Sequence, residues 1–518
     1  MKNGIKLSVP VISGKGTQIY GKTPKELAEE VLSLPFDDIP CALTIARKKL
    51  ESLNRIDIDG AQRAIATEPF NVAYGRIATY YQSFFGSSKF SRTIDDNEFS
   101  ELGRLTQELS FAYKHILRSF LVLPKHDKEK AQFAYMAMFY IGQSMMQSYD
   151  QYTWFSPQLW RELHDLYAYS ERKGYLSQER YDPIDPQYSQ TISETYAQIC
   201  ATALADPYHL KPGENWVVYH YIRNWANHID VLPPINQLSG KNCFCINVNS
   251  ALRPFPLGTQ ELTENADLRW LSLKKLQDVV GLHRDQLEAG HPPHALGLGD
   301  FLAKDRALKL LETLSVKWEK AVNRLEDRRE IHEKLQIIWG ISDIFQYLNP
   351  EYRREAMLRN NKKQDLHTTI CITENVSANG VCLNLPAQSH EDLSVGQMAL
   401  ILKKTPQGVQ SRLGSVCWTA KSGKMVKIGM RLVVGKPKAI QIKPESDQLQ
   451  ERGGILLVAA RPHGKSIDSL FAPNDLLEIS DRLELNTPQS GESYEVHTTA
   501  LLDRTGFFDQ FKFEPIYH

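Results

Sequence analysis

The sequence carries no net charge: 61 Lys and Arg stand against 61 Asp and Glu in 518 residues, with His neutral. That balance excludes the broad positive field of a general DNA or RNA binder, so any anion recognition must be local and built from a few placed arginines. Long apolar runs are also missing. The greasiest stretch, Phe133 to Gly142, is followed by Gln143 and Ser144, well short of the ~20 apolar residues that a membrane span needs. The N-terminus, Met1 to Pro10, has no continuous apolar run of the kind a signal peptide carries. Membrane insertion is therefore not expected, and a cytoplasmic location is. Seven cysteines, at 41, 200, 243, 245, 371, 382 and 417, include no C-x-x-C and are odd in number, which argues against a disulfide framework or a zinc ribbon. Cys243 and Cys245, two apart in an apolar run, read as small core residues on one face of a strand.

Catalytic signatures are absent as well. There is no P-loop, no H-E-x-x-H and no G-x-S-x-G, and Gly297-Leu-Gly299-Asp300 lacks the third glycine and the preceding strand of a dinucleotide fingerprint. His220, His228 and Asp230 do not return to one helical face, and His291 and His294 sit in a proline-stiffened loop, so no metal site is expected. With no assembled acid, base or nucleophile, the expectation is a protein that is not an enzyme and holds no cofactor.

What is present is ordinary globular composition, 42% hydrophobic and 24% charged, with length for three or four domains. The periodicity predicts an α+β multidomain chain. Residues 1–235 read as a helical domain: Ala42, Ile45, Ala46 and Leu50 recur at helical spacing, as do Leu105, Leu109, Ala112 and Leu117. Trp160, Leu163, Leu166 and Tyr167 share a face whose spacing resembles the first helix of a tetratricopeptide unit, although no 34-residue recurrence is visible. Tyr149, Tyr152, Trp154, Phe155 and Trp160 read as core. Residues 236–322 form an α/β bridging segment with a strand at Asn242–Val248. A long amphipathic helix is expected from Phe301 to His332, with Leu308, Leu311, Leu314, Trp318, Val322 and Leu325 as its stripe. A buried strand, Leu335 to Trp339, follows, then a helix from Ile341 to about Lys363. From Thr369 the period switches to two, and short strands punctuated by Gly, Pro and Asn predict a small antiparallel barrel or sandwich over 323–440. A C-terminal β module over 441–518 either extends that barrel or stands beside it.

The segment Asn375-Val-Ser377-Ala-Asn-Gly380 lies between two strand-like runs and, taken alone, is a turn signal. Further on come Arg412-Leu-Gly-Ser-Val-Cys-Trp418 and Lys427-Ile-Gly-Met-Arg-Leu432. Together these resemble the PilZ domain, over roughly residues 323–440. The resemblance implies a small β-barrel of a family in which many members bind cyclic di-GMP. It also implies an R-x-x-x-R segment ahead of the first strand, which Arg324-Leu-Glu-Asp-Arg328, followed by Arg329, matches. The helix expected after Ile341 departs from the family's usual layout, and Arg353, Arg354 and Arg359 are rival arginines one residue off the spacing.

The chemistry fits such a ligand. Arginine forks match phosphate oxygens and the O6/N7 edge of guanine, and can stack on a purine. Asn375 and Ser377 would offer a fixed donor and acceptor, and Gly380 close backbone approach. The bland alternative is a solvated helix end, with Glu326, Asp327 and Glu330 pairing the arginines. The expected function is then a non-catalytic cyclic di-GMP receptor that couples occupancy of the barrel to a protein partner of the helical half, through ordering of residues 324–329. The competing expectation is a protein–protein adaptor with a degenerate barrel, acting in motility, pilus or secretion assembly.

Overall fold

The computed structural model describes residues 5–15, 22–83, 96–233, 242–256, 267–299, 302–319, 328–349, 351, 354, 366, 368–386, 393–422, 424–433, 435–445, 452–458, 469–488 and 491–516. The chain is α+β and divides into two compact units, Met1–Pro207 with Pro212–Asn323, and Tyr208–Lys211 with Arg324–His518. Among the described residues no helix is long and apolar enough to cross a membrane.

The first unit is built on helices Pro24–Leu32, Ile39–Leu53, Gly60–Gln82, Asp96–Leu121, Asp127–Asp150, Gln158–Lys173, Ile192–Leu204 and Glu214–Asn224. Local chemistry sets their ends. Thr191 caps Ile192–Leu204 by accepting from the Glu194 N–H while Glu194 reaches back to the Thr191 N–H, a reciprocal pair that satisfies two orphan donors. Gly174 closes Gln158–Lys173 in the left-handed region at φ 71°. The predicted stripes are buried: Leu105, Leu109, Ala112 and Leu117 are fully inside, as are Trp160, Leu163, Leu166 and Tyr167. Trp154 is the exception to the aromatic cluster, at 57% exposed. The core is unusually polar for helices. Tyr140 donates to Asn71 Oδ1 at 2.7 Å, and Asn71 Nδ2 donates to the Tyr113 hydroxyl at 2.6 Å. Lys114 and Glu162 pair at 2.6 Å with both side chains buried. Toward its end the unit adds a four-stranded antiparallel sheet, in the order Asp230–Leu232, Leu268–Ser272, Cys243–Asn247, Phe255–Pro256, and helices Lys274–Glu288 and Lys304–Glu319.

The second unit holds two barrels. We number its strands β1 Arg329–Glu330, β2 Lys334–Trp339, β3 Thr368–Val376, β4 Gly380–Pro386, β5 Met398–Thr405, β6 Gly408–Ser422 and β7 Met425–Leu432, followed by β8 Lys436–Pro444, β9 Arg452–Val458, β10 Ser469–Pro473, β11 Arg482–Asn486, β12 Ser493–Arg504 and β13 Phe508–Pro515. The first sheet runs β2-β5-β6-β7-β4-β3-β1, and an additional β2–β3 pairing closes six of its strands into a ring. Its interior is filled by Leu335, Ile337, Trp339, Leu383, Ile401, Val416 and Ile428 among others. The second barrel is β8-β9-β10-β13-β12-β11. A third cluster, with Ile338, Ile344, Leu400, Ile455, Leu457 and Phe508, joins the outside of the first ring to the second.

Two sequence expectations shift. The helix predicted from Phe301 to His332 is described over Lys304–Glu319, with Val322 and Leu325 outside the described residues, and Arg329–Glu330 is strand rather than helix. The cause is tertiary: the end of β3 offers unpaired backbone groups, so the Ile331 N–H donates to the Glu374 carbonyl and the Thr373 N–H to the Glu333 carbonyl. The inserted helix is present between β2 and β3, as a described element Ile341–Leu348. Residues 436–440, expected within the first barrel, lie in β8, whose ladder partners are β9 and β11, so they pair within the second barrel. Finally, β3 buries Thr369, Cys371 and Thr373 and exposes Ile370 and Ile372, at 56% and 50%. The Trp339 indole N–H donates to Thr369 Oγ1 at 3.1 Å and the Cys371 thiol contacts the Leu335 carbonyl, so two of the three inward side chains find partners inside.

Candidate ligand-binding site

Register carries the N-terminal side of the site to the barrel. Residues Lys334–Ile338 run antiparallel to Ile372–Thr368 in the β2–β3 ladder, and further along the same edge Glu330 pairs with Asn375 and Arg329 with Val376. Arg328 is thereby delivered to the last turn of β3. Its Nη1 donates to Asn375 Oδ1 at 3.3 Å, with the amide orientation assigned from this bond. Arg328, Arg329 and Glu330 are all exposed, and Asn375, Val376 and Ser377 are half-buried. Of the junction expected to order on ligand binding, residues 324–329, Arg329 is paired with Val376 on β3, and 324–327 lie outside the described residues.

The turn between β3 and β4 is closed by the Ser377 N–H donating to the Gly380 carbonyl at 2.8 Å. Gly380 lies outside the left-handed region, so conformational freedom does not explain it. Space does: a Cβ there would stand 3.2 Å from Ser377 Oγ and 3.4 Å from the Met430 carbonyl oxygen. Opposite Gly380 in the β4–β7 ladder is Arg431, whose Nη2 lies 3.3 Å from Asp503 Oδ2.

One neighbouring acid is ion-paired. Glu374 accepts from Lys427 Nζ at 2.6 Å and from Asn384 Nδ2 at 3.1 Å, and the Lys427 contact holds its carboxyl below the usual range. Lys427 and Asn384 face each other across β4 and β7. Beside them the β6–β7 ladder sets Trp418 against Gly429, where a Cβ would lie 1.9 Å from the indole nitrogen. The tryptophan and glycine of the two later motifs are thus two halves of one contact. Burial pushes the Cys382 thiol up. The arrangement offers cationic forks, an amide and a hydroxyl, groups that can hydrogen-bond an anion.

Of the sequence-assigned residues, the structure brings together Arg328, Arg329, Asn375, Ser377 and Gly380. Arg324, Arg353 and Arg359 lie outside the described residues, and Arg354 is exposed. Sequence reasoning did not single out Glu374, Lys427, Asn384 or Arg431. Their signal was available only as strand register, since Lys427 and Arg431 flank the glycine of the last motif on the strand opposite Asn375–Gly380. Among the described residues no cluster of three His, Cys, Asp or Glu could hold a metal ion. His220 stacks on Trp216, and burial pushes it down to about 3.

Comparison with known proteins places a second signal elsewhere in the chain. Residues 25–234 match the family model described as the N-terminal domain of the cyclic-di-GMP receptor FimW. No curated protein matches the chain. Among solved structures, the insecticidal delta-endotoxin Cry8Ea1 from Bacillus thuringiensis matches over 96% of this chain and 71% of that one, at 8% identity and a TM-score of 0.15. A TM-score that low carries no argument about fold or function.

Proposed function

We propose that this protein is a non-catalytic, cytoplasmic cyclic di-GMP receptor, in which a PilZ-like barrel takes the nucleotide and the helical unit passes its occupancy to a protein partner. The observation that carries this reading is the hydrogen bond from Arg328 to Asn375 at 3.3 Å, which unites the two halves of the motif at one corner of a closed barrel. Support comes independently from the other unit, where residues 25–234 match a family model named for a cyclic-di-GMP receptor. Arg328 and Arg329 have the geometry for phosphate and the guanine O6/N7 edge. Asn375 and Ser377 supply the fixed amide and hydroxyl, and Gly380 the close approach.

Signalling requires that the ligand favour one arrangement over another through contacts it makes in only one. Because Arg329 is already paired to β3, the proposed change is smaller than ordering of residues 324–329 as a whole. It is a redirection of Arg328 from the Asn375 amide to the ligand, which frees that amide to turn to the base. Isothermal titration of the full chain with cyclic di-GMP tests the reading. Saturable heat in the micromolar range is expected. Absence of heat, together with capture of a protein partner that is indifferent to nucleotide, would instead favour the adaptor with a degenerate barrel.

A further inference from the structure

Strand β3 breaks its own alternation just before the site. Thr369, Cys371 and Thr373 point inward and are buried, so strict period two would also send Asn375 inward. Instead Val376 packs against the barrel core. Two residues, Glu374 and Asn375, therefore stand between successive inward positions. The register against β4 shifts at this point, from Thr373 opposite Leu383 to Asn375 opposite Cys382. This is a β-bulge, a device that re-aims side chains next to functional sites. Without it Asn375 could not meet Arg328.

What holds the bulge is visible. The Glu374 carbonyl accepts from the Ile331 N–H, and its carboxylate gathers Lys427 Nζ at 2.6 Å and Asn384 Nδ2 at 3.1 Å. One carboxylate thus ties three adjacent strands at the point where the register slips. The Lys427 and Glu374 side chains are 37% and 31% exposed, and such a pair contributes little to global stability. Its consequence is local.

We propose that Lys427, acting through Glu374, is a positioning residue that fixes the β3 bulge and thereby the aim of Asn375 and the Ser377 turn. The inference rests on the site reading above and adds to it how the site is held in shape.

The decisive experiment turns on the sign of one substitution. Glu374→Ala removes an acid beside an anion site, so on charge alone it would tighten binding of cyclic di-GMP. If Glu374 positions the site, Glu374→Ala and Lys427→Met both weaken binding, by about tenfold or more for a lost supporting contact. Lys427→Arg and the charge-swapped Glu374→Lys/Lys427→Glu pair retain most of the affinity, and the melting temperature barely moves in any variant. Tighter binding in Glu374→Ala, or affinity within about twofold of wild type in Lys427→Met, overturns the proposal while leaving the receptor reading intact. Hydrogen exchange on the same proteins separates the two ideas. Lys427→Met accelerates exchange over residues 373–380 whether or not nucleotide binds, and unchanged exchange there overturns the positioning role by itself. Absence of binding by wild type, with accelerated exchange in Lys427→Met, would overturn the receptor reading and keep the bulge.

Discussion

Gly429 and Trp418 fit each other so closely that neither tolerates much change. A Cβ at Gly429 would fall 1.9 Å from the indole nitrogen and 2.3 Å from Cε2, inside any contact distance, and the indole is anchored on the opposite strand in register. Gly429→Ala must therefore expel the tryptophan or bend β7. We expect a loss of about 1–3 kcal/mol, the usual cost of overpacking, read by urea unfolding followed through tryptophan fluorescence. Full stability with an unshifted spectrum would contradict the contact. At the same scale Gly380 is a matter of space and not of φ, which residue type alone could not reveal.

At the scale of the element, β3 is the informative strand. Its period of two was legible in Thr369–Glu374, yet which face is inside was not, because hydrophobicity names the isoleucines and the structure buries the threonines and Cys371. The Trp339 indole gives the reason, since it needs Thr369 Oγ1 as an acceptor. Thr369→Val, although more apolar, is expected to cost about 1–3 kcal/mol by removing that acceptor in a buried site, whereas Ile370→Thr stays within about 0.5 kcal/mol. Chemical denaturation of the two variants checks the order, and a reversed order would contradict the assigned faces. Strands β2, β4, β6 and β7 and the helical stripes at Leu105–Leu117 and Trp160–Tyr167 were readable because one face of each is uniformly apolar. The bulge at Glu374, the pairing of β8 with the second barrel and the strand at Arg329–Glu330 were not, because each is decided by a partner strand distant in sequence. Of the site, Arg328, Asn375, Ser377 and Gly380 were legible from spacing. Lys427 and Glu374 became visible only when β4 and β7 set them side by side.

At the scale of the whole molecule, buried titratable groups give the first unit a pH signature. Burial pushes His115 and His164 down to about 4 and His220 to about 3. His164 is held by the Tyr196 hydroxyl at 2.7 Å and the Leu252 carbonyl at 2.9 Å, an arrangement that suits the neutral ring with its proton on Nε2. The folded pKa lies below the unfolded value of about 6.5, so the unfolded chain binds more protons across that window. Stability from these three groups is complete above about pH 6.5 and declines as pH falls toward 4. Asp150 has the opposite sign: burial lifts its carboxyl to about 7, so its fold-stabilising neutral form is lost as pH rises toward 7. His220→Phe should match wild type near pH 7.5 and melt higher than wild type at pH 5, since Phe can keep the stacking on Trp216 and has no ring to protonate. Identical melting profiles at both pH values would contradict this origin.

The central claim, that the barrel corner formed by Arg328, Asn375 and Ser377 takes cyclic di-GMP, is tested most directly by titrating the nucleotide into the full chain and into Arg328→Ala, Ser377→Ala and the double variant. The account predicts binding by wild type, a loss of about tenfold or more in each single variant as expected for charge-assisted and buried polar contacts, and a double variant that loses less than the product of the two, because the residues serve one ligand corner. Wild-type affinity retained in both single variants would contradict it.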